Sequence, residues 1–193
     1  MTRLTTHPLP AGAKPAQPEY VYARATMEDP ATAVMTDLAR HRAVIAHPGE
    51  ALEHAERRMI SVGVRLLLVV DREGSVVGVL SHRDIVGQKA TAEAVREGVS
   101  HQALAVSAVM TPLAEVEALD YAAVKKASVL DLVRLMHERG RQHALATETD
   151  AEGKMVVRGI FSITQIGRQL GITIEAGERV QSFSEIEHLI AAA

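Results

Sequence analysis

The sequence predicts an α/β protein of two pseudo-symmetric repeats, each running strand, helix, strand, strand, helix, packed together as one module. Three observations carry this expectation. The segment from Val34 to Asp84 recurs, with small insertions, from Val109 to Gln165. Each copy contains an apolar run, a turn and a second strand ending in Gly-Val-Leu-Ser or Gly-Ile-Phe-Ser. The chain of 193 residues is 47% hydrophobic and 23% charged, enough for one sizeable core or two small ones.

The copies open identically, Val34-Met35-Thr36 followed by Leu38 against Val109-Met110-Thr111 followed by Leu113, 75 residues apart. An apolar helix stripe comes next, Leu52, Ala55 and Met59 in one copy and Val129, Leu132, Val133 and Met136 in the other, and Gly63 then matches Gly140. The offset grows from 75 to 77 to 81 residues, which implies one insertion before the helix and a four-residue one in the hairpin around Asp150 to Gly153. Insertions confined to connections are what a shared core tolerates.

In the first copy Val44 to Ala46 reads as a short strand, Pro48-Gly49 as a turn and Glu50 to Ser61 as a helix. Val64 to Val70 is apolar except for Arg65, as a strand buried on both faces requires. Asp71 to Gly74 forms the turn, Ser75 to Leu80 returns antiparallel, and Ser81 starts the last helix. Each half-domain exposes an apolar sheet face. Packing the two together with pseudo-twofold symmetry covers both faces and creates clefts between them.

The ends are different in kind. Residues 1–19 hold four of the chain's seven prolines and read as a disordered Pro/Ala-rich arm. Residues 20–92 then comprise the first repeat with its lead-in, 93–171 the second with its linker, and 172–193 a C-terminal extension. In that extension Ser184 and Glu187 form a capping box for a short helix with Ile186, Leu189 and Ile190 on one face and Phe183 beside it, expected to pack on its own module or to serve as a dimer contact.

Composition narrows the function. A formal charge of -3 with two Phe, three Tyr and no Trp argues against a nucleic-acid surface. Cysteine is absent, which excludes disulfides, thiolate chemistry and cysteine-rich zinc sites. No apolar run approaches the ~20 residues of a membrane helix, and the first 19 residues lack a signal-peptide stretch, so a cytoplasmic location without membrane insertion is expected. Nine histidines are present, but there is no HExxH, and the pairs His41/His47 and His137/His143 are six apart, off one helical face, so no metal is expected. There is no GxGxxG, Walker loop, nucleophile elbow or paired-carboxylate motif, and catalysis is not expected.

The VMT opening, the strand ending Leu-Leu-Val-Val-Asp, the Asp-Arg-Glu-Gly turn and Gly-Val-Leu-Ser-His-Arg-Asp-Ile resemble a cystathionine beta-synthase (CBS) domain. Two in tandem, over roughly residues 30 to 170, resemble a CBS pair, or Bateman module. The resemblance implies two inter-repeat clefts that bind adenine nucleotides, assembly as a homodimer through the repeat helices, and regulation of a separate, unknown partner protein.

Ser81 and Asp84 form the key motif. A carboxylate at a helix start can accept hydrogen bonds from both hydroxyls of a ribose, and the adjacent hydroxyl and helix amides can hold polar ligand atoms. The same spacing is close to a capping box, in which Ser81 caps and Asp84 reaches back to the backbone. In the second copy Ser162 and Gln165 retain capping ability without the carboxylate. A charge-assisted hydrogen bond is worth ~1.5 to 3 kcal/mol, so the Gln165 cleft is expected to bind ribose about ten- to a hundredfold more weakly.

By the family pattern, the Asp84 cleft combines Val79, Ser81, Arg83 and Asp84 with Tyr121, Ala122, Arg141, Gln142 and His143. The weaker cleft combines Val44, Val64 and Arg65 with Ser162, Thr164 and Gln165. Arg141 and His143 stand where the first copy has Val64 and Leu66, and a phosphate is one reason for such polarity; solvent exposure at a strand start is the other. The resemblance thus implies AMP, ADP or ATP as regulatory ligands, with no cofactor required. Two other readings stay open: a ligand-free dimeric scaffold, and a sensor of another adenosyl compound such as S-adenosylmethionine or a dinucleotide.

Overall fold

The computed structural model describes residues 6–14 and 24–172. The C-terminal helix expected around Ser184 lies outside the described residues, as does part of the N-terminal arm. Residues 6–14 are exposed and contain only a turn.

In chain order the elements are β1 (Thr36–Asp37), β2 (Ile45–Ala46), α1 (Leu52–Val62), β3 (Leu66–Val70), β4 (Val76–Ser81), α2 (His82–Val86), α3 (Gln88–Glu97), α4 (Val106–Val109), β5 (Thr111–Pro112), β6 (Ala118–Asp120), α5 (Tyr121–Val124), α6 (Val129–Glu138), β7 (His143–Thr149), β8 (Met155–Ser162) and α7 (Ile163–Leu170). The order strand, helix, strand, strand, helix therefore holds in both copies. Leu52, Ala55 and Met59 are the buried stripe of α1, which ends at Gly63 with φ of 77°, a left-handed conformation that favours glycine. Val129, Leu132, Val133 and Met136 do the same for α6. The four-residue insertion falls in the β7–β8 hairpin, where Asp150 Oδ1 accepts from the backbone N–H groups of Glu152 and Lys154.

Two four-stranded sheets result, in the orders β2-β3-β4-β5 and β1-β8-β7-β6. All five residues of β3 are buried. Alternation along the strand sends Leu67 and Val69 into the helix-covered core of the first sheet and Leu66 and Leu68 towards Leu145 of β7, where the two sheets meet. The apolar run is thus explained by burial on both faces.

The lead-in of each copy belongs to the sheet of the other. β1 pairs antiparallel with β8, and β5 pairs antiparallel with β4. The exchange is symmetric in detail: Val129 donates its N–H to the Asp29 carbonyl at 2.8 Å, and Leu52 donates to the Leu104 carbonyl at 2.8 Å. Ala31 and Val34 lie in the core with Phe161 and Ile166, whereas Leu104, Val106 and Val109 lie in the core with Leu67 and Leu80. Two cores therefore share one crossed chain, and each half is completed by a segment of its mate.

This crossing explains why the VMT opening and the glycine of the fourth strand recur together. A Cβ on Gly78 would lie 2.5 Å from the Thr111 carbonyl oxygen, and one on Gly159 would lie 2.2 Å from Met35 Sδ. Backbone cannot yield as a thioether can. Gly78→Ala is expected to destabilise the protein by about 2 kcal/mol and Gly159→Ala by clearly less, because Met35 can change rotamer. Denaturant melts of the two variants decide this, and equal losses would count against it.

Candidate functional site

A cleft of about 590 Å³ opens between the two sheets. One wall comes from the first copy: Val79 and Ser81 of β4, with Arg83 and Asp84 of α2. The facing wall comes from the second: Glu117, Ala118 and Leu119 around β6, and Arg139, Arg141, Gln142 and His143 between α6 and β7. Leu66, Met136 and Leu145 supply apolar surface, and Thr111 of the crossed strand β5 completes the lining.

The Ser81 and Asp84 side chains form a capping box and also face this cleft. Asp84 Oδ2 accepts from the Ser81 backbone N–H at 2.7 Å and from Ser81 Oγ at 2.7 Å, and Ser81 Oγ accepts from the Asp84 N–H at 3.3 Å. The two readings of the motif are therefore compatible. The cap engages Oδ2 and holds the carboxylate in one orientation at the cleft wall.

His143 opposes it from the other copy. Burial pushes its imidazole down to about 4, against the Asp84 carboxylate, which raises it, and with the Arg65 guanidinium, which lowers it further. His143 is therefore neutral at pH 7, a hydrogen-bonding group and not the phosphate-binding cation that its pairing with Arg141 suggests in sequence. The unfolded chain protonates this group near 6.5 while the folded chain resists down to about 4. Its stabilising contribution is complete above pH 6.5 and is lost as pH falls through that window, on the order of 2 kcal/mol after allowing for partial exposure. Thermal melts from pH 7 to 4 should show this loss, and His143→Gln should flatten it. An unchanged slope in the variant would assign the loss to other groups.

The positive charge of the cleft sits at its rim. Arg139 Nη1 lies 3.2 and 3.1 Å from the two Glu117 carboxylate oxygens, and Arg141 Nη2 lies 3.7 Å from Oε2. All three side chains are more than half exposed.

The model of the CBS domain family matches residues 34–90. Among solved structures, a conserved protein of Pyrococcus horikoshii superposes with a TM-score of 0.54 at 22% identity, over 78% of this chain and 98% of its own. A CBS-domain containing protein of Agrobacterium tumefaciens gives a TM-score of 0.50 at 19% identity, covering 68% of this chain and 88% of its own. Residues 34–90 match a CBS domain, and the described residues have the fold of CBS-domain structures. CBSX2, solved in complex with AMP, gives a TM-score of 0.50 at 21% identity over 72% of this chain and 94% of its own. No curated protein sequence matches the chain.

Within this fold, Val79, Ser81, Arg83, Asp84, Arg141, Gln142 and His143 share the cleft, whereas Tyr121 and Ala122 lie outside its lining. The displacement has a definite cause. Strand register equates Ile45, opposite Leu68, with Ala118, opposite Leu145, so the extra residues of the second copy follow β6 and form α5. Glu117 and Ala118 take the places that the sequence assigns to Tyr121 and Ala122. The Tyr121 ring instead meets the Arg158 guanidinium at 4.7 Å and Lys125 Nζ at 5.1 Å from its centre.

The residues expected in the weaker cleft come from both copies. Val44 and Val64 pack against the first core. Arg65 is exposed; its carbonyl accepts the His82 N–H at 2.9 Å, and its charge falls on His143 of the other cleft. Ser162, Thr164 and Gln165 are half-buried at the start of α7, and Ser162 makes no side-chain cap bond there, contrary to the expectation of a cap in both copies. Its backbone, φ of -128° and ψ of 121°, differs from that of Ser81, φ of -97° and ψ of 159°.

Arg139, Glu117 and Thr111 are not among the site residues expected from the sequence. Thr111 had a signal, since it is the threonine of the duplicated opening. Arg139 and Glu117 are 22 residues apart and belong to no motif. Among the described residues no helix is long and apolar enough to cross a membrane, and no three His, Asp or Glu side chains gather as a metal-binding group.

Proposed function

We propose that this CBS pair is a regulatory sensor of an adenosine-containing nucleotide, AMP, ADP or ATP, held in the cleft headed by Ser81 and Asp84. The observation that carries the reading is the composition of the two walls: an oriented carboxylate from one copy faces an arginine-bearing edge of the other across apolar surface. With Oδ2 held by the cap, Oδ1 is the oxygen that meets the ribose hydroxyls. Leu66, Val79 and Leu145 suit the face of a purine, neutral His143 can hydrogen-bond to its polar edge, and Arg139 and Arg141 suit phosphate. That CBSX2 was solved with AMP makes AMP the first ligand to try.

Signalling follows from linkage. A ligand touching both walls binds best at one spacing of the two sheets, and a separate partner that prefers that spacing senses the ligand. Calorimetric titration of adenosine, AMP, ADP and ATP into the full chain tests the binding step. Saturable binding is expected, tighter for AMP than for adenosine. A folded protein that binds none of the four would remove the nucleotide reading and leave the scaffold one.

A further inference from the structure

We propose that Glu117 is a built-in competitor for the ligand's phosphate, occupying the anion position on Arg139 and Arg141 until a phosphate displaces it. The proposal rests on the reading of the cleft as a nucleotide site and goes on to say how that site admits charge. Glu117 directly precedes β6 at the cleft mouth, and both of its carboxylate oxygens lie on Arg139 Nη1, at 3.2 and 3.1 Å, with Oε2 3.7 Å from Arg141. Both oxygens share the one Nη1 group, so the carboxylate takes a donor that a phosphate oxygen would otherwise use. It is therefore a chemical stand-in for the group the arginines are expected to bind.

The exchange is feasible because the pair is weak. Glu117 is 63% exposed, Arg139 58% and Arg141 51%, and exposed ion pairs of this kind contribute little and are screened by salt. Glu117 can swing into water without burying an unpaired charge. A dianionic phosphate brings more charge and more acceptor oxygens than the carboxylate, so it can win the arginines, with an affinity lower than bare arginines would give. A neutral nucleoside does not reach for them and is indifferent to Glu117. Displacement also unties the end of α6, which carries Arg139, from the start of β6, so binding of the phosphate alters a contact within the second copy.

The test is calorimetry on the full chain at low salt, wild type against Glu117→Gln, with adenosine, AMP and inorganic pyrophosphate. Glu117→Gln should bind AMP and pyrophosphate about three- to tenfold more tightly, leaving adenosine unchanged. Arg139→Gln should weaken AMP and pyrophosphate and again leave adenosine unchanged. An equal change for adenosine and AMP, or no gain for either anion, would overturn the proposal. AMP bound equally well by both proteins removes the competitor and leaves the nucleotide site standing. AMP bound by neither, with the pyrophosphate gain intact, removes the nucleotide site and leaves the competitor.

Discussion

Asp84→Asn is expected to weaken AMP binding about ten- to a hundredfold while leaving the fold in place. The substitution keeps an acceptor at the capping position, where the carboxylate now receives the Ser81 N–H and hydroxyl at 2.7 Å, and removes the charge that strengthens hydrogen bonds to a ribose diol. The loss of a charge-assisted bond, about 1.5 to 3 kcal/mol, corresponds to that range of affinity. Asp84→Ala removes cap and charge together and should lose about 1 kcal/mol of stability as well. Comparing the two by calorimetry and thermal melting separates the carboxylate's two roles. Undiminished AMP binding in Asp84→Asn would show that the carboxylate serves the helix alone. Loss of this charge should also move His143 further below its ordinary value, since Asp84 is what raises it; histidine resonances followed against pH would report that directly.

Arg158→Met should destabilise the protein by about 3 kcal/mol. Arg158 Nη1 lies 2.6 Å from Asp37 Oδ1, its Nε lies 2.9 Å from Glu148 Oε1, and its guanidinium stacks on Tyr121. Arg158 is 19% exposed and Asp37 17%, so the charges left behind are poorly solvated. The contact matters beyond its own energy. Strand β1 is two residues long and pairs with β8 through Thr36 and Asp37, so the Arg158–Asp37 pair is a main anchor of the crossed lead-in. A fall of roughly 6 to 12 °C in the thermal midpoint is expected for a domain of this size. Arg158→Lys should recover part of it, as it restores charge without the fork. If Asp37→Asn and Arg158→Met are additive, the pair does not anchor the strand.

The duplicated order of elements, the hairpin insertion, the buried third strand and the Ser81 cap were legible because each is written in neighbouring residues. The stripe Leu52, Ala55 and Met59 needs only the helical period, and the Asp71 turn needs only residues that form turns. The misplacement of Tyr121 has an equally local cause. A three-residue strand at Ala118–Asp120 followed by a one-turn helix carries no period from which to read the register. The Ser162 cap failed for a similar reason: a serine before a helix is permission to cap, and backbone torsions decide whether its hydroxyl meets the amide.

Local pattern was therefore sufficient for two α/β repeats with an apolar strand and a capped helix, because helices, turns and caps are short-range. The crossing of the lead-ins, the cleft and the neutrality of His143 came from the packed chain. Asp37 and Arg158 are 121 residues apart, and Asp84 and His143 face one another from different copies. Burial and charge at such sites depend on what the rest of the molecule brings within a few ångströms, and no window of neighbouring residues contains that sum.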